Sequence, residues 1–299
     1  MAGEGRGRAA AGWVAVALSA AIATVWSYWG ALENFHEGWY LRSAGANLAL
    51  ALGQYLGPAL LFVALGLLAL RFPRIGALAL AAAGVAALFF FGLPPRPGGL
   101  LVAVPLLLLA GLWYVARPPR PALASWLLAG PPLALIAAIS LWMAPRIATR
   151  FDDGNLGERR VLGEGVALSW APAGPGWPRQ PVPWAEAVRR CRHLSRDGRA
   201  LEDTVVDAWR LPTAEEAVRS MQRHGRSAGG QWIPGLQDGR YRVEPDKESP
   251  LWDVHSPIVY WWTSTEVDPA HARIIVYDGR VWPRAKTQWM GFRAVRSDE

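Results

Sequence analysis

The carboxylates between residues 238 and 266 are the first side chains with the chemistry of a site. Asp238, Asp246, Glu248, Asp253 and Glu266 share a stretch that also carries Trp252, Trp261 and Trp262. Hard oxygen donors suit a calcium ion. An indole beside a carboxylate suits a ligand with an apolar body and a polar edge. The acid spacing matches no calcium-loop motif, so no cofactor is predicted and calcium stands as the alternative. Trp252, Asp253, Trp261 and Glu266 are the candidate ligand-binding residues.

Other chemistries are narrower. The single cysteine, Cys191, excludes an intrachain disulfide, a paired-thiol redox centre and a multi-cysteine zinc site. Histidines at 36, 193, 224, 255 and 271 show no close ligand pair, and no metal site is predicted. Glu215 and Glu216 follow Thr213 in the spacing of a capping box, which accounts for them without catalysis. No catalytic residue is assigned.

These side chains need elements to place them. "WAEAVRRCRHLS" (184–195) puts Trp184, Ala187, Val188, Cys191 and Leu194 on one face of an amphipathic helix, so Cys191 is expected to be a buried, inert thiol. Pro212 keeps Leu211 out of helical geometry, and a second helix should start at Thr213. The stretch 226–257 lacks periodicity and reads as a long functional loop. "IVYWWTST" (258–265) is β-branched and aromatic, a strand. Its alternation sends Tyr260, Trp262 and Ser264 one way and Trp261, Thr263 and Thr265 the other, one set to the core and one beside the long loop. Residues 272–286 read as a hairpin with Asp278-Gly279 at the turn, and 290–296 as a closing strand. The segment 161–172 can open a sheet.

The first half is different in kind. Mean hydropathy is +0.13 over the whole chain, high for a protein dissolved in water. Five apolar stretches stand out: 11–32, 47–70, 75–93, 100–116 and 122–143. Each is near the ~20 residues that a helix needs to cross a bilayer. Their separators are short, which predicts an up-and-down bundle. Arg6, Arg8, Arg71, Arg74, Arg117 and Arg120 fall on one side if the spans alternate, and Arg42 and Arg96 on the other. That asymmetry predicts a cytoplasmic N-terminus and, after five crossings, an extracytoplasmic C-terminal half. Trp13, Trp113, Tyr114 and Trp126 are expected at the inner headgroup level, and Trp26, Trp29, Trp39 and Trp142 at the outer one. No span carries a charge in its middle, which argues against a pump. The net charge of +7 is spread without a basic block, so no nucleic-acid partner is expected.

The domain expectation is therefore a five-helix transmembrane region over 1–144, a linker over 145–160 and an extracytoplasmic α+β domain over 161–299. In the last, "DAWRLPTAEEA", "YWWTSTE", "YDGRVWP" and "GFRAVR" occur in that order. This order resembles the C-type-lectin-like superfamily, and within it the domains related to formylglycine-generating enzyme (sulfatase-modifying factor) and the bacterial DUF1566 family. The match rests on Trp184, Ala187 and Cys191, on Arg210, Leu211, Pro212 and Thr213, and on Phe292 and Arg293 through Arg296. The resemblance implies a lectin-like fold, and the apolar spans and arginine asymmetry place it at the plasma (inner) membrane, facing the periplasm or exterior. The paired cysteines that formylglycine generators use for copper are absent, so it implies no catalytic residue. The expectation that follows is a multi-pass protein presenting a non-catalytic binding domain to an envelope peptide, glycan or protein. A related oxidoreductase, or a sensor acting through a partner, are the alternatives.

Overall fold

A computed structural model describes residues 2–92, 97–152, 157–172, 181–248, 250–251 and 254–298. The chain divides into two compact units. One comprises Met1–Gly38 and Ser43–Pro145, the other Trp39–Arg42 and Arg146–Glu299. The short segment 39–42 thus folds with the C-terminal half, which the sequence did not announce.

The first unit is helical. It contains α1 (Ala2–His36), α2 (Ala44–Leu50), a π-helical turn (Ala51–Tyr55), α3 (Gly57–Arg71), α4 (Pro73–Phe90), α5 (Pro97–Val115) and α6 (Pro121–Ala148). Among the described residues, three helices are long and apolar enough to cross a membrane: Arg6–His36, Pro73–Phe90 and Pro121–Ala148. The pair Ala44–Tyr55 and Gly57–Arg71, bent by 64°, makes a fourth if counted as one span. Gly99–Val115 is apolar but shorter. The stretch expected as one continuous span from 47 to 70 is therefore broken.

Proline explains the break. Pro58 sits in the first turn of α3, where its missing N–H costs nothing, but its ring cannot follow a regular preceding turn. The chain widens there, and the Leu56 amide reaches back five residues to the Ala51 carbonyl at 2.8 Å. Gly30 of α1 lies against this bend: a Cβ there would sit 2.2 Å from the Tyr55 carbonyl oxygen. Trp113, expected at the headgroup level, is fully buried among the helices and donates its indole N–H to Ser19 Oγ at 3.1 Å. A buried indole requires such a partner, and Ser19 supplies it inside the bundle.

The second unit is α+β. The stretch expected as a linker over 145–160 is overlapped at its two ends: α6 runs to Ala148, and β1 (Arg159–Gly163) starts before 161. β1 turns through Glu164 and Gly165, both at positive φ, into β2 (Val166–Trp170). Two such residues make the hairpin turn whose twist suits the strands. β2 also pairs antiparallel with β10 (Val295–Ser297), so the unit's first and last strands are neighbours. Between them lie α7 (Trp184–Arg192), α8 (Ala214–Ser220), the short ladders β3 (Gln222–Arg223) with β4 (Arg226–Ser227) and β5 (Gln231–Ile233) with β6 (Asp238–Arg240), and an antiparallel sheet. That sheet is β7 (Tyr260–Glu266), β8 (His271–Val276) and β9 (Val281–Ala285), in that order.

The two tryptophans of β7 go to different cores. Trp261 packs with Leu168, Trp170, Val218, Met221, Leu251 and Ile275. Trp262 packs with Val182, Cys191, Leu194, Leu211, Ile274 and Phe292. The alternation of a strand, one side chain up and the next down, is the cause. Both rings are fully buried. The stretch 226–257 contributes Ala228 and Leu251 to the Trp261 side, and Tyr241 lies across the β8–β9 turn, its hydroxyl donating to the Gly279 carbonyl at 2.8 Å. Part of that stretch is thus built into the core.

Candidate binding groove

α8 begins as the sequence predicts. Thr213 Oγ1 accepts the Glu216 amide at 3.1 Å, and Glu216 Oε2 accepts the Thr213 amide at 2.7 Å. Glu216 also takes both arms of Arg210 at 2.7 Å. Burial pushes the Glu216 carboxyl up, but Arg210 and the Thr213 N–H outweigh it and hold the group below its ordinary range. The cap thereby fixes the Arg210 side chain on the wall of a groove.

This groove, about 760 Å³, lies between the α7 side of the unit and the ends of β7 and β10. Its walls carry Trp184, Arg192, Asp207, Trp209, Arg210, Glu266 and Arg296. Arg192 forms a two-pronged pair with Asp207, at 2.7 and 3.1 Å, and that pair is open to solvent. The hydrogen bond from Arg192 holds the Asp207 carboxyl below its usual range. Asp207 itself adopts left-handed backbone, φ 54°, which turns the chain into the wall. Arg296 stacks 4.6 Å from the Trp209 ring centroid and pairs with Glu158 at 2.7 Å. Lys286 stacks 4.6 Å over the Trp184 ring and pairs with Glu266.

The indoles are fixed by their N–H groups. Trp184 donates to the Thr263 carbonyl at 2.9 Å, and Trp209 to the Ser195 carbonyl at 2.8 Å. Lys286 covers one face of the Trp184 ring and Arg296 one face of the Trp209 ring, and Trp209 is buried. What the groove offers is guanidinium groups in exchangeable pairs: Arg192 with Asp207, Arg210 with Glu216 and Arg296 with Glu158.

The expected site residues separate. Trp261 is corrected: it is fully buried in a core and has no surface for a ligand. Its apolar neighbours on both strand faces explain why an aromatic pair reads as a site but is not exposed. Glu266 does line the groove. Trp252 and Asp253 lie outside the described residues. Leu211 and Phe292 are core residues. The Pro212 carbonyl accepts the Ser264 amide at 2.7 Å, tying the helix start to β7. Arg293 is fully buried, and its Nε donates to the Ala171 carbonyl at 2.8 Å. Cys191 is fully buried, and desolvation pushes its thiol up, so it is no nucleophile.

The four described carboxylates weighed for calcium serve other ends. Asp238 accepts the amides of Gly239 and Val281, each at 2.8 Å. Asp246 accepts the Lys247 amide at 2.8 Å, Glu248 is buried, and Glu266 pairs with Lys286. Among the described residues the group that gathers ligand atoms within 4.8 Å is instead Glu33, His36 and Glu37, at the end of α1. One helical turn brings i, i+3 and i+4 to one face.

Sequence reasoning missed most of the groove. Trp184 was read as a core residue of α7, and the Arg192–Asp207 pair spans fifteen positions with no local signal. Comparison with protein-family models, with curated proteins and with solved structures finds no match to this chain.

Proposed function

We propose that this is a five-span membrane protein that presents a non-catalytic, C-type-lectin-like binding domain outside the cytoplasm, with the groove as its ligand site. The ligand is a peptide segment bearing a carboxylate.

The topology rests on parity. Residues 39–42 and 146–298 belong to one compact unit, so they share one side of the bilayer and an even number of crossings separates them. α4 and α6 supply two. α5 folds back on α4 as a hairpin, with Gly84 against Leu107 and Gly99 against Phe91, so it recrosses what α4 crosses. The bent pair α2–α3 is then the fourth, and α1 the fifth. The Arg117 amide bonds the Arg8 carbonyl at 3.1 Å, which supports a shared side for the two arginine-rich ends. The arginine asymmetry makes that side cytoplasmic. The lectin-like reading draws on the pairing of the domain's first hairpin with its last strand, the two helices between, and the ordered motifs.

The single observation that carries the binding role is that the groove's three arginines, Arg192, Arg210 and Arg296, each stand in a solvent-accessible guanidinium–carboxylate pair. Exposed guanidinium–carboxylate pairs exchange one carboxylate for another at little cost. A Trp184 ring covered on one face and a buried Trp209 disfavour a glycan. The test uses the full chain in lipid nanodiscs and fluorescent peptides that are acidic, neutral or basic. Acidic peptides should bind, and the double variant R192A/R210A should weaken them at least tenfold. Equal binding of all three classes would refute the charge argument. A membrane-impermeant label at Ser297→Cys tests orientation: labelling only after cell rupture would overturn it.

A further inference from the structure

Residues 39–42 fold within the second unit, although the chain on either side belongs to the first. Two side chains meet Tyr40 there. Lys247 is fully buried, donates to the Ser256 carbonyl at 2.9 Å and lies 5.4 Å from the Tyr40 ring centroid. His255 has a partner on each ring nitrogen: Nδ1 is 3.1 Å from the Tyr40 carbonyl oxygen, and Nε2 is 2.8 Å from Asp152 Oδ2.

A carbonyl oxygen and an ionised carboxylate can only accept. A neutral imidazole has one N–H and one lone pair, whereas the imidazolium has two N–H groups. Both contacts are hydrogen bonds only when the ring carries both protons. We propose that His255 is a proton-operated latch, whose imidazolium ties the connector 39–42 to the second unit and whose deprotonation releases it. After proton loss the remaining N–H stays with Asp152, because the charge-assisted bond is the stronger. The Nδ1 lone pair then faces the Tyr40 oxygen, and the two repel.

Among the described residues, the charged side chains in the flanking segments are paired. Arg150 stands 3.8 Å from Asp246, and His224 stands 3.8 Å from Glu248. Arg146 pairs with Glu244 at 3.2 Å, and Arg223 bonds the Glu244 carbonyl at 2.6 Å. Lys247 adds its charge beside Tyr40. The connector lies in the chain between α1 and α2. The inference is independent of what the groove binds.

Hydrogen exchange of the full chain in nanodiscs, at about pH 5.5 and about pH 8.5, brackets the histidine range. After correction for intrinsic rates, exchange in 39–42, which reads local opening once the Tyr40 carbonyl loses its donor, should speed up about tenfold at the higher pH, while β7 and β8 stay unchanged. H255Q should be weakly protected at both values. D152N should be protected at both, because its carboxamide can donate to unprotonated Nε2 and leave Nδ1–H for Tyr40. Unchanged wild-type protection across the range, a parallel loss in β7 and β8, or wild-type pH dependence in D152N would each overturn the latch. If H255Q does not fold, D152N decides.

Discussion

Glu248 offers the sharpest quantitative prediction. Its side chain is buried, and among the described residues Oε2 has no hydrogen-bond partner. Desolvation raises its carboxyl to about 7, against the pull of the His224 and Gly225 amides. The folded state therefore binds the Glu248 proton more tightly than the unfolded chain, whose value is near 4.5. The sign follows. Below about 4.5 the group is protonated in both states and its contribution is fully present. As pH rises through about 7 the folded state must hold a buried carboxylate, and stability is lost. At ~1.4 kcal/mol per unit the shift corresponds to about 3 kcal/mol in a dry site. The neighbouring His224 side chain is 48% exposed, so water screens part of this charge, and about 1.5 kcal/mol remains. Glu248→Gln keeps an acceptor for the two amides and removes the charge. Thermal unfolding of the full chain should show the variant matching wild type at pH 5 and exceeding it by roughly 3–6 °C at pH 8. A difference between variant and wild type that does not change with pH would refute the reasoning.

Further outcomes are expected from single changes. Thr213→Ala removes the α8 cap and should cost about 1 kcal/mol in chemical denaturation, with Arg210 loosened as Glu216 loses its anchor. Trp262→Ala empties a core site and should cost roughly 3–5 kcal/mol, read as loss of folded protein at growth temperature. Trp113→Phe leaves Ser19 Oγ without its indole donor and should destabilise the helical unit by about 1 kcal/mol, measured by unfolding in mild detergent. Cys191 should resist a soluble thiol reagent until denaturant is added; fast labelling of native protein would contradict its burial.

Much of the second unit was legible because its signals are local. The Thr213–Glu216 box, the Asp278-Gly279 turn and the apolar stripe through Trp184, Ala187 and Cys191 each act within a few residues, and each formed as expected. The hairpin at Glu164-Gly165 was missed because glutamate at positive φ is uncommon and hides a turn. Trp261 was misjudged because strand alternation tells which residues share a face. It does not tell whether a second layer covers that face.

The apolar helices, the α8 cap and the Asp278-Gly279 turn are written in the sequence itself, since hydrophobic length and turn chemistry depend only on neighbouring residues. The groove, the burial of both β7 tryptophans and the place of residues 39–42 are not. They depend on side chains that meet across gaps such as Arg192 to Asp207 and Tyr40 to His255, and only the folded chain brings those together.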